Sequence, residues 1–220
     1  PVLEVLDREG LSLTTILVTH HHADHQGGVG SLLARYPAEV FGPAAESIAG
    51  VTRPLAGGET IQCAFSDVRL QVIAVPGHTL GHIAYYGAGY LFCGDTLFAG
   101  GCGRLFEGSA AQMADSLARL AALPNDTAVY CAHEYTEANL RFAMAVEPGN
   151  RRLQSRVNEV AVARAKGWAT VPSTIAIEKA SNPFLRCSEP EVAASARRRV
   201  VDADDEVAVF AALRDWKNGF

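Results

Sequence analysis

Apolar positions follow two different patterns along the chain, and the change comes near residue 138. Before that point, short β-branched runs predict strands over residues 14–19, 39–41, 61–65, 70–75 and 127–131. After it, strand signals nearly vanish and the apolar spacing predicts helices over residues 137–147, 150–166 and 204–216. The pattern therefore predicts a mixed α/β domain over residues 1–138 and a helical domain over residues 139–220.

Local signals mark where several helices begin or end. Gly10 ends an amphipathic stretch and predicts the end of a first helix. Ser109 with Gln112 has capping-box spacing, in which each residue satisfies a backbone N–H of the first helical turn. Ser188 with Glu191 has the same spacing and predicts the start of a later helix.

Composition and charge exclude several classes of protein. The chain has 220 residues, of which 49% are hydrophobic and 20% charged, as in an ordinary globular protein with a proper core. It contains no apolar run near the 20 or so residues that cross a bilayer, so we expect no membrane contact. A net charge of −5 argues against a nucleic-acid surface, because phosphate binding needs clustered cations.

The cysteines and the start of the chain bear on its location and assembly. Five cysteines are widely spaced and form no C-x-x-C pair, which favours a reducing cytoplasm over a disulfide framework. No signal or transit segment is visible. We expect a cytoplasmic monomer that acts on a small molecule.

The seven histidines fall in three short clusters and nowhere else. They occur in T-H-H-H-A-D-H at 19–25, in P-G-H-T-L-G-H at 76–82 and in A-H-E-Y at 132–135. Imidazole is the commonest protein ligand for metals, and histidines gather where several nitrogens must converge on one cation. The clusters therefore predict a metal site.

The candidate ligands follow predicted strands. His20 and His22 come at the end of one strand, where both side chains can reach one ion, and Asp24 and His25 occupy the next turn. The other candidates each end a different apolar run: these are His78, Asp95 and His133. Strands that each end in a ligand are typical of loops converging over one sheet edge.

These motifs carry a resemblance to a known family. The chain resembles the metallo-β-lactamase superfamily and, more narrowly, the glyoxalase II or hydroxyacylglutathione hydrolase family. The narrower match lies in G-D-T-L-F-A-G-G-C-G-R at 94–104, H-E-Y-T at 133–136 and N-P-F-L-R at 182–186. The resemblance implies an αββα sandwich followed by a C-terminal helical domain. Because the chain opens where the first helix of that fold is expected, we expect its leading strands to be missing.

The resemblance implies a site with two divalent metal ions. His20, His22 and His78 would hold one ion, Asp24, His25 and His133 the other, and Asp95 would bridge both together with a hydroxide. Zinc is the first expectation, and iron and manganese suit the same ligands. Two cations that share a water lower its pKa, so a hydroxide is available near pH 7 to attack a carbonyl without a protein nucleophile. Asp24 and Asp95 are the protein groups expected to serve catalysis.

The same resemblance implies the substrate, a glutathione thioester. Arg104, Tyr135, Arg214 and Lys217 would bind its glutathione part. Arg214 and Lys217 are three residues apart on a predicted helix, so they share a face and can meet carboxylates together. Phe106 stands where the family often has an aromatic hydroxyl, so a hydrogen bond from that position is lost.

The expected reaction is hydrolysis of S-D-lactoylglutathione and related thioesters to D-lactate and glutathione. The nearest alternative is a persulfide dioxygenase of the same superfamily, which uses one iron held by two histidines and an aspartate. A β-lactamase would have no use for the basic C-terminal helix, and a metal-dependent scaffold would need a closed site. His21 and His82 are not expected to be ligands.

Overall fold

The computed structural model describes residues 1–64 and 67–220, which form two compact units. The first unit comprises Pro1–Ala74 with Gly81–Ala88, and the second comprises Val75–Leu80 with Gly89–Phe220. The predicted strand over residues 61–65 ends outside the described residues. No helix in the described part of the chain has the length and apolarity to cross a membrane.

The first unit contains short helices and two sheets. Its helices are α1 (Val2–Glu9), α2 (Ala23–Gln26) and α3 (Val29–Leu33). A parallel sheet is formed in order by β1 (Thr15–Leu17), β2 (Glu39–Pro43) and β3 (Arg53–Leu55). An antiparallel set is formed by β4 (Thr60–Gln62), β5 (Arg69–Ala74) and β6 (Ile83–Gly87). Helix α1 ends as predicted at Gly10, which adopts a left-handed conformation.

Apolar side chains from both sets of strands make up the core of the first unit. On β5, Leu70 and Val72 are buried while Arg69 and Gln71 are exposed, which is the two-residue period of a half-buried strand. The full buried cluster is Phe41, Leu55, Ile61, Leu70, Val72, Ile83 and Tyr85. Each such side chain contributes roughly 1.5–3 kcal/mol on burial. The sheets of this unit are therefore held face to face by apolar packing.

Two hydrogen bonds fix the segment that follows β1. The Tyr85 hydroxyl donates to the Val18 carbonyl over 2.8 Å, and the Ile83 N–H donates to the Thr19 carbonyl over 3.0 Å. Burial raises the pKa of Tyr85, so the phenol stays protonated and remains a donor. This segment leads directly into His20.

The second unit carries the remaining strands and helices. Its strands are β7 (Tyr90–Gly94), β8 (Leu97–Phe98), β9 (Gly101–Cys102), β10 (Ala128–Cys131) and β11 (Ser173–Thr174). Its helices are α4 (Ala110–Ala121), α5 (Thr136–Val146), α6 (Arg151–Ala165), α7 (Ile175–Ser181), α8 (Pro190–Arg197) and α9 (Glu206–Asn218). Strand β10 pairs in parallel with β7 and antiparallel with β11, while β8 and β9 form a hairpin.

Helix starts confirm one capping prediction and contradict the other. Ser109 and Gln112 form the full reciprocal capping box at the start of α4. The prediction for Ser188 is wrong: the N-cap of α8 is Glu189, which makes no side-chain cap hydrogen bond. Pro190 explains the shift, because proline fits the first helical position, where no N–H has an intrahelical partner.

The predicted helices of the C-terminal region are confirmed to within two residues at each end by α5, α6 and α9. Leu140 and Ala143 of α5 pack with Leu153 and Val160 of α6 in a buried cluster. This packing stabilises the helix pair, since helices of this length are marginal alone in water. The short helix α7 was not predicted.

Candidate metal centre and ligand cavity

The first unit brings four predicted ligands together after β1. His20 is fully buried, His22 precedes α2 as its N-cap residue, and Asp24 and His25 lie on α2. Ring nitrogens of His20 lie within 4.8 Å of nitrogens of both His22 and His25. An Asp24 carboxylate oxygen lies 3.4 Å from Nε2 of His25. The group has the donor chemistry of a transition-metal site.

The two histidines that were not expected to be ligands have other contacts. Nδ1 of His21 lies 3.1 Å from a Glu46 carboxylate oxygen, which also accepts the His21 backbone N–H. His82 is buried, and its ring stacks on that of His20 with centroids 4.6 Å apart. A stacked ring presents its face to its neighbour, so His82 supports the orientation of His20.

The second unit brings the other three predicted ligands together. Asp95 follows β7 and His133 follows β10, and because these strands are parallel their carboxyl ends lie at the same sheet edge. Nε2 of His78 lies 3.5 Å from one Asp95 oxygen, and Nε2 of His133 lies 3.7 Å from the other. One carboxylate thus faces two imidazoles through different oxygens.

The hydrogen bond of His78 makes this arrangement suitable for a cation. Nδ1 of His78 lies 2.8 Å from the Arg104 carbonyl oxygen. A carbonyl can only accept, so Nδ1 carries the proton, and in a neutral ring Nε2 then presents a lone pair towards the Asp95 carboxylate. A metal ion between nitrogen and oxygen satisfies both acceptors. Histidine ligands are generally oriented in this way by a bond from their second nitrogen.

A cavity of about 410 Å³ in the second unit joins these ligands to the predicted substrate residues. His78 and Asp95 line it, and this volume lies within the usual range for small-molecule sites. Its walls also include all four residues predicted to bind substrate, which are Arg104, Tyr135, Arg214 and Lys217. Residues that lie up to 139 positions apart in sequence, from His78 to Lys217, therefore share one cavity.

Arg214 is held rigidly at the cavity wall. It is 96% buried, and its Nη1 donates to the Cys102 carbonyl over 2.9 Å and to the Gly103 carbonyl over 3.4 Å. The guanidinium also lies over the Phe184 ring at 5.3 Å. Its Nε has no hydrogen-bond partner among the described residues. A buried donor of this kind favours an anionic ligand in the cavity.

Lys217 lies in a strongly positive environment. Burial, and after it the neighbouring charge of Arg214, lowers its pKa to about 8, with smaller contributions from Arg141 and Arg104. An anion in the cavity would relieve the repulsion among these cations. This local positive patch contrasts with the net charge of −5 of the whole chain.

Aromatic side chains lie between the predicted substrate-binding residues and the predicted metal ligands. Tyr135 is half exposed, and its ring stacks on His133 with centroids 5.0 Å apart. The Phe98 ring meets the Tyr135 ring edge-on, with centroids 5.4 Å apart. Phe106 is mostly exposed and meets the His78 ring edge-on at 5.2 Å. Tyr135 is thus the aromatic hydroxyl at the cavity, while Phe106 offers only its ring.

The cysteine in the cavity wall is not suited to act as a nucleophile. Cys102 is buried, and burial raises the pKa of its thiol despite the nearby Arg214. The thiolate is the reactive form, so this residue remains a neutral thiol near pH 7.

Comparison with known proteins agrees with this arrangement. The model of the metallo-β-lactamase superfamily matches residues 3–133, and that of the hydroxyacylglutathione hydrolase C-terminus matches residues 134–220. A hydroxyacylglutathione hydrolase of Dechloromonas aromatica (strain RCB) is 57% identical to the chain, over 100% of this chain and 88% of that protein. The chain belongs to the hydroxyacylglutathione hydrolase family. Its fold is therefore the metallo-β-lactamase α/β sandwich with a C-terminal helical domain.

This hydrolase family member is also similar to solved structures. ETHE1 from Myxococcus xanthus has a TM-score of 0.63 and 26% identity, covering 98% of this chain and 81% of that one. TTHA1623, solved in a di-iron-bound form, has a TM-score of 0.51 and 30% identity, covering 60% of this chain and 75% of that one. Membership of the superfamily implies that the chain binds a divalent metal, in agreement with its histidine and aspartate clusters.

Several cavity residues of this hydrolase family member were not predicted from the sequence. Phe98 and Asn139 line the cavity, and the Cys102 carbonyl anchors Arg214. Phe98 and Cys102 lie within the G-D-T-L-F-A-G-G-C-G-R motif at 94–104, in which the resemblance implied roles only for Asp95 and Arg104. Asn139 had no signal, because a lone asparagine in a helix carries no pattern.

Proposed function

We propose that the protein is a metal-dependent thioesterase that hydrolyses S-D-lactoylglutathione and related 2-hydroxyacylglutathiones to the hydroxy acid and glutathione. The observation that carries this proposal is the single cavity that has two candidate metal ligands, His78 and Asp95, together with a cluster of cations in its wall. Hydrolysis of a glutathione thioester needs metal ligands near the reacting carbonyl and cations that bind the anionic tripeptide. Family membership supports the same reaction, since the relatives at more than 50% identity bear that enzyme's name.

We propose that two divalent ions are bound per chain. One would be held by His20, His22 and His78, the other by Asp24, His25 and His133, with Asp95 shared between them. When bound, such ions lower the pKa of a shared water and polarise the thioester carbonyl. Zinc suits these ligands, as do iron and manganese. The pairing of His78 and His133 with different oxygens of Asp95 supports its shared role.

Other groups of the chain orient the proposed metal ligands and set their environment. The Arg104 carbonyl fixes the tautomer of His78, so that Nε2 is the ligand atom. Asp95 is 92% buried, which keeps its carboxylate in a low-dielectric environment where its charge acts strongly. With Cys102 held as a thiol, the second unit's cavity offers no cysteine nucleophile among its described lining residues. This favours attack by water on the thioester.

The cations of the cavity would bind the glutathione part. Glutathione has two carboxylates, which Arg104, Arg214 and Lys217 can meet as charge-assisted hydrogen bonds. Tyr135 would add a hydroxyl donor at the rim. We therefore propose a catalytic domain over residues 1–138 and a helical glutathione-binding domain over residues 139–220, the latter supplying Arg214 and Lys217.

The alternative, a persulfide dioxygenase with one iron, has less support. One iron bound by two histidines and an aspartate would leave Asp24, His25 and His133 without a metal role. The match of residues 134–220 to the hydroxyacylglutathione hydrolase C-terminus also favours the thioesterase.

We further propose that the protein acts as a cytoplasmic monomer that binds neither nucleic acid nor membranes. Its described cysteines are all free thiols, which is typical of a reducing compartment. Its net negative charge disfavours phosphate backbones and anionic lipid surfaces.

The experiment is hydrolysis of two thioesters by the metal-loaded protein, S-D-lactoylglutathione and the lactoyl thioester of N-acetylcysteamine, which lacks both carboxylates. We expect kcat/KM to be at least 100-fold higher for the glutathione thioester, because two charged pairs contribute roughly 1.5–3 kcal/mol each. The variant Arg214→Met should remove most of that preference. Equal rates for both substrates would contradict the proposed substrate class, and oxygen consumption without thioester cleavage would favour the dioxygenase.

A further inference from the structure

The hairpin formed by β8 and β9 is buried at its turn. Leu97 pairs with Cys102 and Phe98 with Gly101, which leaves Ala99 and Gly100 as the turn. Ala99 is only 1% exposed. Turns usually lie at the surface, because the backbone polar groups of a buried turn need partners other than water.

Glu178 of α7 binds the turn from one side. Its Oε2 accepts the Gly100 N–H over 2.8 Å, and the residue is fully buried. Gly100 has a φ of +70°, and an added Cβ would lie 2.9 Å from the Leu140 side chain, so the turn is tightly enclosed. A carboxylate from a helix distant in sequence thus accepts the backbone N–H at the turn of the hairpin.

Two asparagines bind the carbonyls of the same hairpin. Nδ2 of Asn182 donates to the Gly101 carbonyl over 2.9 Å and to the Phe98 carbonyl over 3.3 Å. Nδ2 of Asn139 donates to the Ala99 carbonyl over 3.0 Å. Asn182 is the first residue of the N-P-F-L-R motif at 182–186, which the proposed reaction leaves without a role.

Both oxygens of Glu178 act only as acceptors in this network. Besides Gly100, it accepts hydrogen bonds from Asn182 on Oε2 and from Arg156 and Ser173 on Oε1. Four donors converge on one carboxylate, so an amide at this position would turn an NH₂ group towards two donors. Arg156 balances the charge in the buried environment.

The hairpin in turn supports both sides of the cavity. The ring of Phe98 lies 5.4 Å from that of Tyr135. At the other end of the hairpin, the carbonyls of Cys102 and Gly103 accept the two hydrogen bonds from Arg214. A tilt of the hairpin would therefore move two groups that we propose to bind glutathione.

We propose that Glu178 and Asn182 are positioning residues for substrate binding: they hold the 97–102 hairpin so that Tyr135 and Arg214 meet the glutathione part together. They do not touch the substrate. This inference rests on the proposed thioesterase function. It predicts an effect on KM more than on kcat, because the groups that the hairpin supports bind the part of the substrate remote from the reacting carbonyl.

The test compares a substitution on the hairpin side of this network with one on the far side. Asn182→Asp keeps the volume and the acceptor for the Phe184 N–H but removes the Nδ2 donor to the hairpin. Ser173→Ala removes one donor to Glu178 on the side away from the hairpin. Asn182→Ser, which has a side chain too short to reach the hairpin, serves if the aspartate variant does not fold.

KM and kcat for S-D-lactoylglutathione, the inhibition constant of glutathione, the metal content and the melting temperature are measured for each metal-loaded protein. We expect the Asn182 variant to raise KM and the glutathione inhibition constant in parallel by about tenfold, with kcat within about twofold and unchanged metal content. Ser173→Ala should leave both constants within about twofold even if it lowers the melting temperature.

Unchanged KM in the Asn182 variants, or an equal rise of KM in Ser173→Ala, would overturn the inference, since the network would then act through general stability. A fall in kcat with unchanged KM would also overturn it. If the wild-type protein neither cleaves the thioester nor binds glutathione, the proposed function fails first, and the two failures are thereby distinguished.

Discussion

The two cations on α9 share a helix face but have different surroundings. Arg214 is almost wholly buried and anchored by two backbone carbonyls, so its charge is permanent and its position fixed. Lys217 is three residues further along, with its ammonium 4.9 Å from the centre of the Phe142 ring. Burial and nearby arginines bring its pKa to about 8, so its charge is lost in an accessible pH range.

Substrate binding should therefore weaken above pH 8. A lysine whose pKa is lowered is charged below that pKa and neutral above it, so KM should rise between pH 7 and pH 9.5. The groups facing Lys217 are Arg104, Arg141, Arg214 and the neutral thiol of Cys102, and none of them replaces the lost charge. The measurement is the KM of S-D-lactoylglutathione across this range.

Lys217→Arg is the matched control, because arginine stays charged throughout and the substrate titrates identically in both assays. The ratio of wild-type to variant KM should increase as the pH rises through about 8. A ratio that is constant from pH 7 to 9.5 would show that Lys217 does not titrate in contact with the substrate.

Single site residues could be predicted from the sequence only where the residue type has few roles in proteins. Histidine and aspartate clusters identified seven candidate ligands, and each unit brings its own share of them together. Glu178 could not be found in this way, because a single glutamate is usually exposed. Its burial depends on Gly100 and Arg156, which lie 78 and 22 residues away.

At the scale of elements, local chemistry sets helix starts with known energies. The capping box of α4 pairs the Ser109 hydroxyl with the Gln112 N–H, and the Gln112 side chain with the Ser109 N–H. Ser109→Ala should lower the free energy of unfolding by about 1 kcal/mol. Denaturant melts measure the loss, and Ser155→Ala, an exposed position inside α6, should change stability by less than about 0.5 kcal/mol. Equal effects of the two substitutions would contradict the capping account.

The N-P-F-L-R motif makes a second link through its arginine. Arg186 donates to both oxygens of Glu147 over 2.7 and 2.8 Å, and this interaction raises the pKa of the guanidinium. Glu147 is 96% buried, so Arg186→Gln leaves a buried carboxylate without its counter-charge. We expect a loss of about 3 kcal/mol in the free energy of unfolding.

Arg119 provides the control for this prediction. Its ion pair with Asp115 lies on the exposed face of α4, where such pairs contribute less than about 1 kcal/mol. Arg119→Gln should therefore shift the denaturant midpoint far less than Arg186→Gln. If the two substitutions are equally mild, the Arg186–Glu147 pair does not stabilise the C-terminal region.

The elements show why sequence patterns succeed for some helices and fail for others. Long periodic segments such as α6 were predicted closely, because the packing that stabilises them repeats along the sequence. Helix α7 has seven residues, begins with β-branched Ile175 and was missed. The start of α8 was misplaced since Pro190 determines it more strongly than the serine two residues before.

At the scale of the whole molecule, the candidate ligands extend over most of the α/β region, from His20 to His133. Metals that bind only the folded chain stabilise it by mass action. Removal of metal by a chelator should therefore lower the melting temperature, and added zinc should restore it. The control is His21→Ala, a histidine outside the ligand set, which should keep the full shift between metal-free and metal-loaded protein. A melting temperature unaffected by chelation would contradict the ligand assignment.

We propose that a site with two metals performs thioester hydrolysis in this protein. The most direct measurement is elemental analysis of the purified chain combined with its thioesterase activity on S-D-lactoylglutathione, before and after removal and return of metal. We expect two divalent ions per chain, with activity that disappears and returns with them. One iron per chain, oxygen consumption and no thioester cleavage would contradict this proposal.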